Sequence, residues 1–169
     1  HFLLSAAANG EAVYVLQCDI HHYYQSIDHD VLKKLIRQTI ADRRLLEVWD
    51  RIIDGYNGDT GKGIPIGALT SQLSANIYLN ILDHFVKERM QVKRYLRYMD
   101  DFIIVANDKE TLSGYLADIK WLLERHLKLK LNPKTKIFPA SRGVEGQNFA
   151  PQEKYQGGQE AIQRAVMEV

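Results

Sequence analysis

Tyr95-Leu96-Arg97-Tyr98-Met99-Asp100-Asp101-Phe102-Ile103-Ile104-Val105 is an apolar, β-branched and aromatic run interrupted by two adjacent carboxylates. The pattern predicts two short strands folded over a tight acidic turn. Aspartate is depleted in strand interiors and neighbouring negative charges repel, so the pair is poorly placed for stability. Asp-Asp is a common turn pair that needs no ligand; the other reading is that a cation sits against it. A third acid favours the cation, because Asp19 ends a second strand-like run, Ala12-Val13-Tyr14-Val15-Leu16-Gln17-Cys18. Three carboxylates at the ends of neighbouring strands suit two divalent ions about 3.5 to 4 Å apart, which activate an attacking oxygen and stabilise a leaving one in phosphoryl transfer. Mg²⁺ prefers such hard oxygen ligands.

Outward from these strands the pattern turns helical. Asp28 is placed to cap a helix with the apolar stripe Val31, Leu32, Leu35 and Ile36, and Asp30 lies in its first turn, where negative charge suits the dipole. Leu45, Leu46, Trp49, Ile52, Ile53 and Tyr56 repeat at helical spacing. The glycines of 57–63 then mark a loop, one that lacks the Gly-Lys-Ser/Thr ending of a phosphate-binding loop. Leu69, Leu73, Ile77 and Ile81, at steps of four, predict an amphipathic helix ending near Met90, with Tyr78, Leu82 and Phe85 beside the stripe. Beyond the central hairpin Asp108 caps a helix bearing Leu112, Tyr115, Leu116, Ile119, Leu122, Leu123 and Leu127, which should lie on the sheet. This order predicts an α+β fold: an antiparallel sheet with helices packed on one face and the acidic turn exposed on the other. His21-His22 offers no metal site, since adjacent strand residues face opposite ways and no partner stands at ligand spacing.

The 169 residues are one domain's worth, and 46% hydrophobic with 25% charged residues is ordinary for a globular chain and argues against disorder. A net charge of +1 does not advertise nucleic-acid binding, although an acidic metal site would mask part of a basic surface in that sum. The single cysteine, Cys18, excludes an internal disulfide and reads as a small core residue. With no run of about 18 apolar residues and no secretory signal, the expectation is a cytoplasmic protein without a membrane partner.

Tyr98-Met99-Asp100-Asp101 resembles the YxDD signature of reverse transcriptases, and Asp19-Ile20-His21-His22-Tyr23-Tyr24 resembles the aspartate motif that precedes it. The resemblance runs in order, at family-like separations, from about Val13 to Glu145. Between the acidic motifs most reverse transcriptases resemble QGxxxSP, whereas this chain reads Ile66-Gly67-Ala68-Leu69-Thr70-Ser71-Gln72. The form IGxxxSQ is similar to the enzymes of diversity-generating retroelements, a bacterial lineage akin to group II introns.

The resemblance implies a polymerase palm over residues 1–145 with the fingers segments missing at the N-terminus, and an atypical tail over 146–169 with the thumb absent. Arg142-Gly143-Val144-Glu145 begins like a primer-grip hairpin and then departs from the pattern. The implied activity is RNA-directed DNA synthesis in a bacterial, archaeal or phage-encoded system. Asp19, Asp100 and Asp101 would be catalytic and, with Ile20, would hold two Mg²⁺ ions, Mn²⁺ being a possible substitute. Ile20, Tyr24, Ile66, Gly67, Ser71 and Gln72 would contact substrate, Tyr24 as a gate against the ribose 2′-hydroxyl. Lys134 would neutralise the departing pyrophosphate. Implied partners are an RNA template, a DNA or RNA primer, deoxynucleoside triphosphates and a basic accessory protein, with error-prone copying of template adenines. Plainer readings stand beside these: Tyr24 as a core aromatic, Ser71 and Gln72 as capping and surface polarity, and Lys128, Lys130, Lys134 and Lys136 as a solvated basic edge. The rival for the whole chain is a non-catalytic palm fragment that binds nucleic acid or a partner protein. A nucleotide cyclase is the third possibility, but those enzymes resemble GG(D/E)(E/F) at the central turn, unlike Tyr98-Met99-Asp100-Asp101.

Overall fold

The computed structural model describes residues 13–56 and 60–140. Strand β1 (Tyr14–Cys18) leads through a turn into a short helix α1 (Tyr23–Ser26), followed by α2 (His29–Thr39) and α3 (Arg43–Asp54). Helix α4 (Leu69–His84) runs on into a π-helical turn, Phe85–Arg89. The hairpin β2 (Tyr95–Tyr98) and β3 (Asp101–Ala106), helix α5 (Lys109–His126) and strand β4 (Lys136–Pro139) complete the described chain. The strands form one sheet in the order β2-β3-β1-β4, with every neighbouring pair antiparallel. This is the α+β arrangement that the order of the sequence patterns predicts.

Register decides what each side of the sheet carries. Leu16 stands opposite Ile104 and Cys18 opposite Phe102, and all four belong to the main core with Tyr78, Leu79 and Leu82 of α4 and Ile119 and Leu123 of α5. Val15 stands opposite Val105 and Gln17 opposite Ile103; Val13, Val15, Ile103 and Val105 form a second buried cluster that contains no residue of the described helices. Apolar side chains on both sides explain why Ile103-Ile104-Val105 is a continuous run instead of an alternating one. Because side chains alternate with period two, Asp19 and Asp101 follow Gln17 and precede Ile103 on the side opposite the helices.

Local chemistry accounts for the helix starts. Asp28 accepts from the Val31 amide at 3.1 Å and caps α2, and Asp108 accepts from the Thr111 amide and hydroxyl at 2.6 and 2.7 Å to cap α5. Asp42, which the sequence reading passed over, caps α3 by accepting from Arg44 and Leu45.

Two expectations need correction. His21 and His22 are not in a strand: His22 adopts a left-handed φ of 46° that turns the chain into α1, so both tyrosines behind it point into the core. On α4 the steps-of-four stripe is not the buried face, for Leu69 and Leu73 are 81% and 48% exposed. Ser71, Ser74, Ala75, Tyr78, Leu79 and Leu82 are buried instead. Tertiary hydrogen bonds set that rotation. The Ser74 hydroxyl accepts from the Trp49 indole at 2.9 Å, and the Tyr78 hydroxyl donates to the Leu127 carbonyl at 2.7 Å while accepting from the Asp28 amide at 3.3 Å. Small polar residues on the inner face let neighbouring helices approach, and buried hydroxyls keep their partners. Ion pairing of Lys128 with Asp28, at 2.7 Å, braces the same corner.

One phenolic oxygen therefore joins α2, α4 and the chain after α5. Tyr78→Phe removes it while keeping the ring, leaving a buried amide and a carbonyl short of a partner. The expected loss is about 1 to 3 kcal/mol in urea unfolding with an unchanged m-value. A midpoint equal to the parent's would show that the hydroxyl does not hold the three elements together.

Candidate active site

The site grows out of the central hairpin. Tyr98 pairs with Asp101, so Met99 and Asp100 form a two-residue turn, with Met99 at a left-handed φ of 54°. Such tight turns suit the twist of antiparallel strands and require positive φ in the loop. The turn sets Asp100 and Asp101 beside Asp19, which lies just past β1, the strand that flanks β3.

The charge of Asp19 reaches both acids of the turn. Burial pushes Asp100 up to about 6, and the charge of Asp19 adds to that shift. Burial pushes Asp101 up to about 7, with Asp19 and then Asp100 adding to it. Asp19 is also raised, by burial first, against the opposing pull of the Asn132 hydrogen bond, Lys134 and His21. These are three half-buried acids that resist carrying three charges at once.

Asn132 holds the first of them. Its Nδ2 donates to Asp19 Oδ2 at 2.8 Å, and its amide donates to the Asp19 carbonyl at 2.7 Å. The Asn132 Oδ1 accepts from the Lys134 amide at 3.0 Å, which ties the exposed Lys134 to the same acid. Sequence reasoning singled out Lys134 and missed Asn132. The available signal was an asparagine just before a proline and two residues before that lysine.

Among the described residues no three His, Cys, Asp or Glu side chains form a ready-made cage for a metal ion. The chemistry of the donor set nonetheless fits a divalent cation, since three hard carboxylates with raised pKa values lose their mutual repulsion when a cation sits among them. Ile20 is 2% exposed and offers no side-chain donor, so only its main chain can take part.

The other predicted residues divide. Tyr24 is buried in the main core, edge-on to Tyr23 with ring centroids 5.6 Å apart, and its carbonyl accepts from Ile64 at 2.9 Å. That bond ties the segment leading to Ile66 and Gly67 to helix α1. Ile66 is 63% exposed. Gly67 has φ 94° with no atom within 4 Å of where a Cβ would stand, so the glycine serves the backbone conformation and leaves the space beside it open. Ser71 is buried and Gln72 is exposed on the first turns of α4. The structure thus gathers Asp19, Asp100, Asp101 and Lys134, sets Ile66, Gly67 and Gln72 at the surface, and places Tyr24 and Ser71 inside. Arg142–Glu145 and the tail lie outside the described residues.

Residues 3–149 match the family model for reverse transcriptase, RNA-dependent DNA polymerase. The chain belongs to the reverse transcriptase family. It is 28% identical over 163 aligned positions to protein YkfC of Escherichia coli, covering 73% of this chain and 43% of that protein. Its fold is that of solved telomerases: apo telomerase of Candida tropicalis at TM-score 0.66 and 17% identity, covering 84% of this chain and 30% of the other, and Candida albicans telomerase in complex with a telomeric RNA fragment at 0.61 and 15%, covering 80% and 28%. The chain therefore spans under half the length of the curated relative and under a third of each telomerase. Among the described residues no helix is long and apolar enough to cross a membrane.

The raised acids make stability depend on pH with a definite sign. An aspartate whose folded pKa exceeds its unfolded value of about 3.9 costs stability as soon as it ionises in the unfolded chain, because the fold must then either hold the proton or bear the charge. The penalty is absent below about pH 4, grows as pH rises from there towards 6 for Asp100 and 7 for Asp101, and is constant above those values. In chelator, Asp100→Asn should raise stability by about 1 kcal/mol at pH 8, after allowance for solvent screening, and by nothing at pH 4. Thermal melts of parent and variant across that range check it; a difference independent of pH would contradict the repulsion.

Proposed function

We propose that this reverse transcriptase palm catalyses RNA-templated DNA synthesis, in which a primer 3′-hydroxyl attacks the α-phosphate of a deoxynucleoside triphosphate and pyrophosphate leaves. The observation that carries the proposal is the gathering of Asp19, Asp100 and Asp101 at one rim of the sheet, with Lys134 tied to Asp19 through Asn132. Asp19, Asp100, Asp101 and the Ile20 main chain would hold divalent ions, Mg²⁺ or in its place Mn²⁺, which supply an activated hydroxyl and charge neutralisation at the phosphate. Asn132 keeps Asp19 in one rotamer, so a carboxylate oxygen is presented without reorganisation. Lys134, a point charge on a flexible stem, sits where the charge of the leaving pyrophosphate develops. Tyr24 supports the floor against which the sugar rests, and its ring excludes the extra hydroxyl of a ribonucleotide. RNA template, DNA or RNA primer and the triphosphate are the ligands, and the setting is cytoplasmic.

Within that reading the chain is an error-prone enzyme of the diversity-generating type, working with a basic accessory protein. The exposed Ile66 supports this, because isoleucine offers the nascent base pair apolar contact without a hydrogen bond to lose. A polar group left unpaired by a misplaced base would penalise mismatches by about 1 to 3 kcal/mol, and isoleucine applies no such check.

Two experiments follow, on the full-length natural protein. Primer extension on an RNA template should proceed with Mg²⁺ and fall about a thousandfold or more in Asp100→Asn. Failure of the parent to extend any primer, with template binding intact, would leave a binding palm in place of a polymerase. Secondly, Ile66→Gln combined with Gln72→Pro should lower misincorporation at template adenines about fivefold or more, read by sequencing the cDNA. Undiminished errors with synthesis intact would remove fidelity from this motif.

A further inference from the structure

Met99 holds a left-handed φ that a long side chain adopts only under constraint, and Asp100 follows it directly. The two-residue turn asks for that conformation, and Arg97, on the side of β2 that faces the helices, bonds to the same residue. Its Nη1 donates to the Met99 carbonyl at 2.8 Å. The rest of the guanidinium is clamped from α4: Nε and Nη2 donate to the two oxygens of Asp83 at 2.8 and 2.5 Å, and Nη1 also lies 3.3 Å from Asn76 Oδ1. Asp83 is held in turn by the Tyr95 hydroxyl, which donates to its Oδ1 at 2.7 Å. The Arg97 side chain is only 11% exposed.

Geometry makes this more than an ion pair that fills space. A guanidinium is planar, so two bonds to one carboxylate fix its orientation, and the remaining nitrogen can then point only where the plane allows. Here it points at the main-chain oxygen of the residue before Asp100. Asn76 extends the linkage, since its Nδ2 donates to the Gln72 carbonyl at 3.2 Å and lies 3.9 Å from the Met99 sulfur. The helix that bears Gln72 and the turn that bears the acids thus share one set of bonds.

We propose that Arg97, clamped by Asp83, is a positioning residue that fixes the Met99–Asp100 turn and so sets Asp100 and Asp101 in register with Asp19 and with the Gln72 end of helix α4. The proposal rests on the polymerase reading above. It predicts that loosening the clamp weakens cation binding at the acids before it weakens the fold.

Arg97→Lys tests this in the full-length protein, because lysine keeps the charge and one bond to Asp83 but cannot reach the Met99 carbonyl in the same geometry. The expected result is a melting temperature close to the parent's, unchanged template-primer affinity, a half-saturating Mg²⁺ for extension about tenfold higher, and Mn²⁺ binding without nucleic acid weakened about tenfold by electron paramagnetic resonance. Should Arg97→Lys fail to fold, Asp83→Asn carries the same comparison with the side-chain shape kept. Unchanged Mg²⁺ requirement and Mn²⁺ affinity, whatever happens to the melting temperature, would reduce Arg97 to packing. The Mn²⁺ measurement separates this from the polymerase reading, for it tests the clamp even where the parent extends no primer.

Discussion

Repulsion among Asp19, Asp100 and Asp101 is the constraint on which the other features bear. Burial raises all three acids and the charge of Asp19 raises Asp100 and Asp101 further, so the sheet rim is a place where the fold is under electrostatic load. Strands β1 and β3 meet that load by burying apolar side chains on both sides, and helices α4 and α5 cover one of them. Asn132 then fixes Asp19 from the β4 end of the sheet and Arg97 fixes the hairpin turn from helix α4. Neither contact brings an unpaired positive charge to Asp100 or Asp101, since Asn132 is neutral and Arg97 is paired with Asp83.

Much of this architecture was legible because it is local. The acidic hairpin, the caps Asp28 and Asp108 and the apolar faces of α2 and α5 follow from residues within a few positions of one another. What escaped is what depends on distant partners. Asn132 meets Asp19 across 113 residues and Arg97 meets Asp83 across 14, and no spacing rule marks either pair. The face of α4 was misread for the same reason: its leucine and isoleucine stripe has the right period, yet Tyr78 and Ser74 turn the helix by hydrogen bonds to Asp28, Leu127 and Trp49. His21 and His22 read as a continuation of the strand that leads to Asp19, whereas the left-handed His22 starts a helix there. Of the candidate site, the acids were visible as carboxylates at strand ends, Lys134 came through the family resemblance, and the core position of Tyr24 was one of two readings the sequence left open; the burial of Ser71 was not legible.

The sheet and its helices recur in telomerases at 15 to 17% identity. A scaffold can persist at that distance because its demands are general: apolar strands, tight turns and helices with one buried face. Positions such as Ile66 carry no comparable structural demand, being mostly exposed, so they are free to differ between enzymes that share the scaffold.

The strand order has a consequence for motion. Strand β1, which ends just before Asp19, lies between β3 and β4, whereas β2, which leads into the acidic turn, is an edge strand that among the described residues pairs with β3 alone. Local opening is easiest at edges and hardest in the middle of a sheet, so backbone amides of β1 should exchange with solvent deuterium far more slowly than those of β2. The acidic cluster thus joins a rigid half to a breathing half. Small excursions of the Tyr98–Asp101 turn would change the spacing of the acids while Asp19 stays still.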